Sequence, residues 1–202
     1  MDKAIEQFRL SMERVHQLGG LYHALTSLTT KALDPSDLLR AQIVLAVSAL
    51  DFYIHEITVL GMLEVYNELR VATQAYSNIK VPVAFVTKSS ATPPVIGTTE
   101  FEIFIREKNS YLSFQQPDKI ADAIRHFSSV QLWREVSTIL NEKEQNIKET
   151  LRLIVDRRNK IAHEADIDPT YMDSRWPITA HDVEGSVGFI SRLCEAIHVV
   201  VK

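Results

Sequence analysis

The chain has 202 residues, of which 46% are hydrophobic and 24% are charged, values typical of one soluble globular domain. Its net charge of −4 gives no overall positive field, so a nucleic-acid partner would have to meet a local patch or a small cleft. Cys194 is the single cysteine, which excludes an internal disulfide and a cysteine-based metal site. It lies in an apolar helical pattern and is therefore predicted to fill the core.

The first third of the chain predicts two helices. Apolar residues at steps of three and four between residues 3 and 30 predict an amphipathic helix, which Gly19-Gly20 would end or kink. Asp34-Pro35-Ser36 is a helix-start signal for a second helix that runs to about residue 68. Between residues 42 and 60 the second helix is apolar on more than one face, which predicts a central position in a bundle.

Two ionisable residues of the central helix, Asp51 and His55, are four positions apart and share a face. Burying such groups costs free energy unless they are paired or solvated. One interpretation is that they lie on the more solvent-exposed stripe of the helix or pair with each other. The other is that they support a site on a neighbouring helix. The sequence leaves both interpretations open.

The middle of the chain is less regular. Prolines and a glycine between residues 78 and 100 break any helix, so an irregular insertion is predicted there. Residues 101 to 139 predict several short helices, with a connector at 110–118 and a helix opened by Pro117. Trp133 in the next short helix is predicted to be a core anchor.

The last third predicts two longer helices. Asn141, with a glutamate three residues on, predicts the N-cap of a helix that runs to about His163. A loop at 166–177 and a cap at Thr179 precede a final helix with one apolar face. The predicted fold is therefore an all-α helical bundle, a single domain over residues 1–202, with the irregular insertion near residues 78–100.

The end of the penultimate helix carries an unusual set of polar residues. Arg158 falls on the apolar stripe of its own helix, between two isoleucines, where an arginine is costly unless it reaches an anion, a carboxylate or a wet cleft. Asp156, Asn159 and His163 form a second stripe at steps of three and four. Asn159 is therefore placed to contact His163 and to set its tautomer or orientation.

The geometry of an α-helix argues against a site built from a single copy of the segment 156–166. At about 100° per residue, Arg158 and His163 lie roughly 140° apart around the axis. The two side chains would meet if His163 lies where the helix ends, since arginine is long, or if two copies of the helix face each other. The alternative is a structural helix end, because the helix dipole favours basic residues at a C-terminus.

Three stretches carry a resemblance to a known family. Residues 158–163, RNKIAH, resemble the Arg-x4–6-His signature of HEPN domains, including the polar residue that follows the arginine. Residues 49–56 and residues 112–125 followed by Leu132-Trp133 resemble the RiboL-PSP-HEPN subgroup. The resemblance implies a helical bundle that dimerises, with the signature helices of two protomers lining one cleft.

The resemblance also implies metal-independent RNA cleavage, with Arg158 and His163 as the catalytic pair and Asn159 as polar support. The residue types suit that chemistry, since RNA supplies its own 2′-hydroxyl nucleophile and histidine can transfer its proton. Arginine can stabilise the phosphorane-like transition state, and the product would be a 2′,3′-cyclic phosphate. No metal or cofactor is predicted. The residues predicted to support the site are Asp51, His55 and Asp156.

The run departs from some family members at one position. Toxin members with a tyrosine two residues after the histidine are silenced by nucleotidylation, whereas this chain has Ala165 there. Silencing by that route is not expected, although an antitoxin could still bind. Glu164 and Asp166 bring negative charge beside the predicted phosphate site. They could restrain activity, pair with Arg157 or Lys160, or remain solvated.

The sequence therefore predicts a homodimeric HEPN endoribonuclease that acts on RNA in a defence or toxin–antitoxin setting, with a possible antitoxin or defence-system partner. A HEPN module that binds RNA, a nucleotide or a protein without cleavage is the first alternative, and a helical scaffold is the second. We expect a cytoplasmic protein without membrane association, because the charged N-terminal residues lack a signal segment and no uninterrupted apolar run has membrane-spanning length.

Overall fold

The computed structural model describes residues 1–30, 33–83 and 97–202. Within these ranges the chain forms eight helices and one short hairpin, so the predicted all-α class is confirmed. The helices are α1 (Asp2–Leu28), α2 (Ser36–Tyr66), α3 (Gln74–Ser77), α4 (Thr98–Asn109), α5 (Pro117–Arg125), α6 (Leu132–Leu140), α7 (Glu144–His163) and α8 (Ala180–Val201), and the strands are β1 (Ile167–Asp168) and β2 (Tyr171–Arg175).

Helix α2 is the centre of the bundle and packs against α1, α4, α5, α7 and α8. Leu50, Ile54 and Ile57 are fully buried, and each contributes about 1.5–3 kcal/mol through the hydrophobic effect. By length and composition alone, α2 would also suit a membrane span, with a mean hydropathy of 1.7. However, 56% of that apolar window is buried inside the protein. Its apolar residues therefore serve the contacts of a central helix, as the sequence predicted.

Helix α1 continues through Gly19-Gly20 to Leu28, so the glycines do not end the helix. A Cβ at Gly19 would lie 2.9 Å from Oε1 of Gln42 in α2. This neighbour is the end of a flexible glutamine side chain. The contacts between α1 and α2 stabilise the helix despite the cost of glycine, which is about 1 kcal/mol per residue.

Two predicted helix starts are confirmed. Before α2, the backbone N–H of Ser36 donates to Oδ1 of Asp34 at 2.9 Å. Before α8, the backbone N–H of Asp182 donates to Oγ1 of Thr179 at 3.2 Å. Both side chains satisfy amide groups that the first turn of a helix leaves unpaired.

The predicted N-cap at Asn141 is wrong. Asn141 instead ends α6 with a left-handed backbone (φ 52°), and α7 begins at Glu144. Asparagine tolerates that conformation better than most residues, which suits it to a helix end. The segment 166–177, predicted as a loop, also contains the antiparallel β1–β2 hairpin, whose turn is closed by Thr170 N–H donating to Asp168 Oδ1 at 2.8 Å.

Predicted core positions are confirmed where the structure describes them. Trp133 is buried, and its indole N–H donates to the carbonyl of Pro117 at 3.1 Å. Cys194 is fully buried in the apolar face of α8, and burial raises the pKa of its thiol well above the ordinary value. Its surroundings make it a core residue, as the helical pattern indicated.

The predicted insertion near residues 78–100 is only partly described, because residues 84–96 lie outside the described ranges. It ends close to the predicted boundary, since Gly97 is the N-cap of α4 and the helix begins at Thr98. Before the gap, Ile79 and Val81 pack against the core.

Candidate functional site

The predicted site lies on the second half of α7. Ile147, Leu151, Ile154 and Val155 are buried and hold this helix against the bundle. Arg158 follows on the same stripe but is only partly buried. Ile161, three residues on, packs against the core again, so Arg158 lies between apolar contacts of α7.

Arg158 is bound by a neutral group rather than a carboxylate. Its Nη2 donates to Oε1 of Gln115, a buried residue in the connector between α4 and α5. Within the described ranges Arg158 forms no ion pair, unlike its neighbour Arg157. A partly buried positive charge without a counter-charge favours the approach of an anion.

Asp51 and His55 of α2 hold the connector that carries Gln115. The backbone N–H of Phe114 donates to Oδ1 of Asp51 at 2.6 Å. Nε2 of His55 lies 3.3 Å from the carbonyl oxygen of Leu112, and its ring lies 4.5 Å from that of Phe114.

Asp51 and His55 therefore contact the connector, and no ion pair joins them to each other in the part of the chain that the structure describes. Through Phe114 and Gln115, they are linked to Arg158. Of the interpretations that the sequence left open, the geometry favours support of a neighbouring segment.

His163 is the last residue of α7, and its side chain is exposed. Asn159 is partly buried and Asp156 is exposed. None of these three side chains makes a hydrogen bond or ion pair to another described residue, so the expected contact between Asn159 and His163 is not formed within one chain. Their roles in a site stay predictions.

The chain after His163 adopts a strained turn. Ala165 and Asp166 both have left-handed backbones, with φ of 52° and 60°, a conformation that costs non-glycine residues about 1–2 kcal/mol each. The backbone N–H of Asp166 donates to the carbonyl of Lys160 at 3.0 Å, and Trp176 N–H donates to the carbonyl of Asp166 at 2.9 Å. These two bonds fix how the chain leaves the helix.

A buried ionic cluster holds this turn in place. Oδ2 of Asp166, a residue with only 1% of its surface exposed, accepts from Nε of Arg40 at 2.7 Å and from Nη2 of Arg157 at 2.9 Å. Both guanidinium groups also donate to the carbonyl of Trp176. Burial lowers the pKa of Arg157, Asp166 opposes that shift, and nearby Arg40 adds to it.

The charged residues of segment 156–166 differ in their partners. Asp166 pairs with Arg157, one of the alternatives that the sequence left open. Lys160 instead places its ammonium 4.9 Å from the ring centroid of Trp176, and Glu164 is exposed. Among the described residues, Arg158 is therefore the arginine of segment 156–166 without a carboxylate partner.

Two residues that contact the arginines of this region, Gln115 and Arg40, were not predicted from the sequence. Gln115 lies in a stretch that carries the family resemblance but was not assigned a role, and Arg40 was not singled out. A signal for Arg40 was present, since it is an arginine at the start of a strongly apolar helix. Among the described residues no group of three or more histidine, cysteine, aspartate or glutamate side chains could hold a metal ion.

An exposed apolar patch borders the end of α7. Leu45 and Phe52 of α2 are 45% and 48% exposed and line one groove together. Leu45 also lines a shallow cleft of about 510 Å³ with Ile161 and Ala165. The patch formed by Leu45, Phe52 and Ile161 thus reaches the helix that carries Arg158 and His163.

A family model described as RiboL-PSP-HEPN matches residues 13–202. The match covers most of the chain, so the protein is a HEPN domain, and within that class it belongs to the RiboL-PSP-HEPN family. No curated protein and no solved structure matches it significantly.

Proposed function

We propose that the protein is a metal-independent endoribonuclease of the HEPN type. It would cleave RNA by attack of the 2′-hydroxyl on the adjacent phosphate and leave a 2′,3′-cyclic phosphate. The observation that carries the proposal is Arg158, whose partly buried guanidinium is held by the neutral Gln115 and has no carboxylate partner among the described residues.

Arg158 would bind and stabilise the phosphoryl group. Gln115 takes one donor of the guanidinium, and the remaining N–H groups can reach two phosphate oxygens in a forked arrangement. Removing one such donor from a transition state typically costs about 100-fold to 1,000-fold in rate. Asp51 and His55 would act through the connector, by keeping Gln115 in place.

His163 would transfer protons. Its exposed position at the end of α7 leaves both ring nitrogens accessible, and imidazole can accept a proton from the 2′-hydroxyl or give one to the leaving oxygen. Asn159 and Asp156 lie on the same stripe and would orient the histidine once RNA or a second protomer is bound. This completes the proposed set of Arg158, Asn159 and His163.

A homodimer would assemble the complete site. Two copies of α7 facing each other would bring Arg158 of one protomer towards His163 of the other, which one ideal helix does not achieve. The exposed side chains of Leu45 and Phe52, which lie near Ile161 of α7, support this arrangement, because exposed apolar surface next to a site favours association. We place the enzyme in the cytoplasm, in a defence or toxin–antitoxin setting with an antitoxin or defence-system partner.

A HEPN module that binds RNA, a nucleotide or a protein without cleaving RNA is the second candidate. It is favoured by His163, which no described side chain orients in a single chain.

Cleavage of total RNA in the presence of a chelator separates the two candidates. The wild type is expected to cleave and to leave 2′,3′-cyclic phosphate ends, while Arg158→Ala and His163→Ala lose about 100-fold or more of the rate. His181→Ala, a change at an exposed histidine of α8, is the matched control and should cleave like the wild type.

Equal cleavage by the wild type and His163→Ala would remove the proposal, as would a metal-dependent cut that leaves a 3′-hydroxyl. If no protein cleaves, binding measured with RNA and with nucleotides supports the second candidate. Arg158→Ala should change the melting temperature little, because the lost hydrogen bond to Gln115 is offset by removal of a partly buried charge that has no carboxylate partner among the described residues. A large fall would indicate a structural arginine instead.

A further inference from the structure

A cavity of about 340 Å³ lies between α2, α4, α5 and the connector that follows α4. Cavities that hold small molecules usually measure about 300–1,000 Å³, so this one suits a ligand at the small end of that range. Its walls are largely apolar, with Met62, Leu112, Phe114 and Ala123 among the described residues that line it. Tyr111 lines it too and is 79% exposed, so it stands at the mouth.

The interior of the cavity calls for no polar partner. Thr58, a lining residue that is only 1% exposed, donates its hydroxyl to the carbonyl of Ile54 at 2.6 Å. The described buried side-chain atoms that lack a hydrogen-bond partner belong to Tyr53, Asp166 and His198, none of which lines the cavity. A ligand with polar atoms on its body would lose their hydration inside, at a cost in free energy. The interior therefore favours a hydrocarbon body.

The rim of the cavity carries positive charge without a counter-charge. Lys108 is partly buried and Lys119 is exposed, and neither forms an ion pair within the described ranges. The ammonium of Lys108 lies 5.9 Å from the ring centroid of Phe104. Asp122, the acidic residue of the lining, already pairs with Arg125. An anionic head group on the ligand would therefore meet two uncompensated ammonium groups.

We propose that this cavity binds a medium-chain fatty acid, with the hydrocarbon chain inside and the carboxylate at the rim. Each CH₂ group that leaves water tightens binding by about four-fold. Met62 suits such a chain, because methionine adapts its own side chain to an irregular space. The two carboxylate oxygens can accept hydrogen bonds from Lys108 and Lys119.

The cavity shares a wall with the candidate active site. Leu112, Ser113 and Phe114 line the cavity, and the next residue, Gln115, binds Arg158. A bound fatty acid would restrain the connector and with it the position of Arg158. This effect on RNA cleavage rests on the proposed function, whereas binding of the fatty acid does not.

Isothermal titration calorimetry of the full chain with octanoate tests the site. One octanoate is expected to bind per chain, and the double change Lys108→Gln with Lys119→Gln should weaken binding about ten-fold or more, because two charge-assisted contacts are lost. The double variant should bind 1-octanol like the wild type, since the alcohol has no charge. Lys3→Gln, at an exposed lysine of α1, is the matched control and should bind octanoate like the wild type.

The hydrocarbon chain is tested separately from the carboxylate. Octanoate should bind about ten-fold more tightly than hexanoate, because two further CH₂ groups leave water while the head group stays the same. Leu112→Ala, at a lining residue that is 43% exposed, should weaken octanoate and 1-octanol alike.

Three results would overturn the proposal: no heat of binding with millimolar octanoate at two temperatures, equal affinity of the double variant and the wild type for octanoate, or hexanoate binding as tightly as octanoate. These titrations contain no RNA, so octanoate binding without RNA cleavage would leave the fatty-acid site standing and remove only the ribonuclease. Cleavage without octanoate binding would do the reverse.

Discussion

Arg157 and Arg158 are neighbours in the sequence, but their side chains meet opposite partners. Arg157 shares the carboxylate of Asp166 with Arg40, whereas Arg158 donates to the amide oxygen of Gln115. A carboxylate neutralises an arginine and an amide only orients it. This difference supports a structural role for the first arginine and the proposed anion-binding role for the second.

The structural role of the ionic cluster predicts a large effect of Asp166→Asn. Arg40 and Arg157 would remain mostly buried without a carboxylate between them, and breaking a buried pair in this way costs about 3–5 kcal/mol of the free energy of unfolding. Urea denaturation measures it. The matched control is Glu164→Gln, at an exposed neighbour, which should change stability by less than about 0.5 kcal/mol. Equal losses in both variants would contradict the cluster's role.

Gln115→Glu tests whether the uncompensated charge of Arg158 matters. The new carboxylate would pair with Arg158 and compete with a phosphate for it, so RNA cleavage is expected to fall by about ten-fold or more. Thermal unfolding should show a stability similar to that of the wild type, because the new ion pair with Arg158 offsets the cost of burying a carboxylate at position 115. If Gln115→Glu cleaves saturating RNA as fast as the wild type, Arg158 does not need an uncompensated charge for activity.

At the scale of elements, a glycine in the central helix allows an aromatic ring to pack closely against the backbone. A Cβ at Gly61 would lie 2.3 Å from the ring of Phe127, which is fully buried and cannot move aside. Gly20 in α1 has no atom within 4 Å of the same point. Two glycines in helices thus differ in what surrounds them.

This difference predicts opposite effects of one substitution. Gly61→Ala should lower the free energy of unfolding by about 1–3 kcal/mol or more, because the added methyl group overpacks the core. Gly20→Ala should raise it by about 0.5–1 kcal/mol, since alanine is the better helix former. Urea denaturation midpoints compare the two directly. Stabilisation by both changes would mean that α2 and the turn after α5 can separate at little cost.

At the scale of the whole molecule, the proposed active site would be complete in the proposed homodimer. Phe52→Glu together with Leu45→Glu places two charges in the exposed apolar patch and should convert the proposed dimer to a monomer. RNA cleavage should be lost with the dimer, while circular dichroism stays unchanged. Sedimentation velocity measures the association state.

The matched control is Leu28→Glu, at the 82% exposed end of α1, which should remain dimeric. A wild type that sediments as a monomer at tens of micromolar would contradict the homodimer. Active monomers would contradict the shared site.

The sequence by itself determined the helices and their buried faces, because hydrophobic periodicity and caps are local properties. It placed Arg158 on an apolar stripe and His163 at the helix end, and it carried the signature of the family. The glycines at 19 and 20 do not end α1, and the prediction failed at Asn141. There, packing and a left-handed helix end outweighed local preferences.

Only the tertiary structure decided which partner each polar residue meets. The contacts of Arg158 with Gln115 and of Asp166 with Arg40 join residues 43 and 126 positions apart in the chain. Hydrophobic periodicity does not predict contacts between residues so far apart in the chain. These contacts depend on how helices α2 and α7 and the connector pack in three dimensions. Packing therefore gives Arg157 a carboxylate partner and Arg158 an amide partner, a difference that the sequence does not predict.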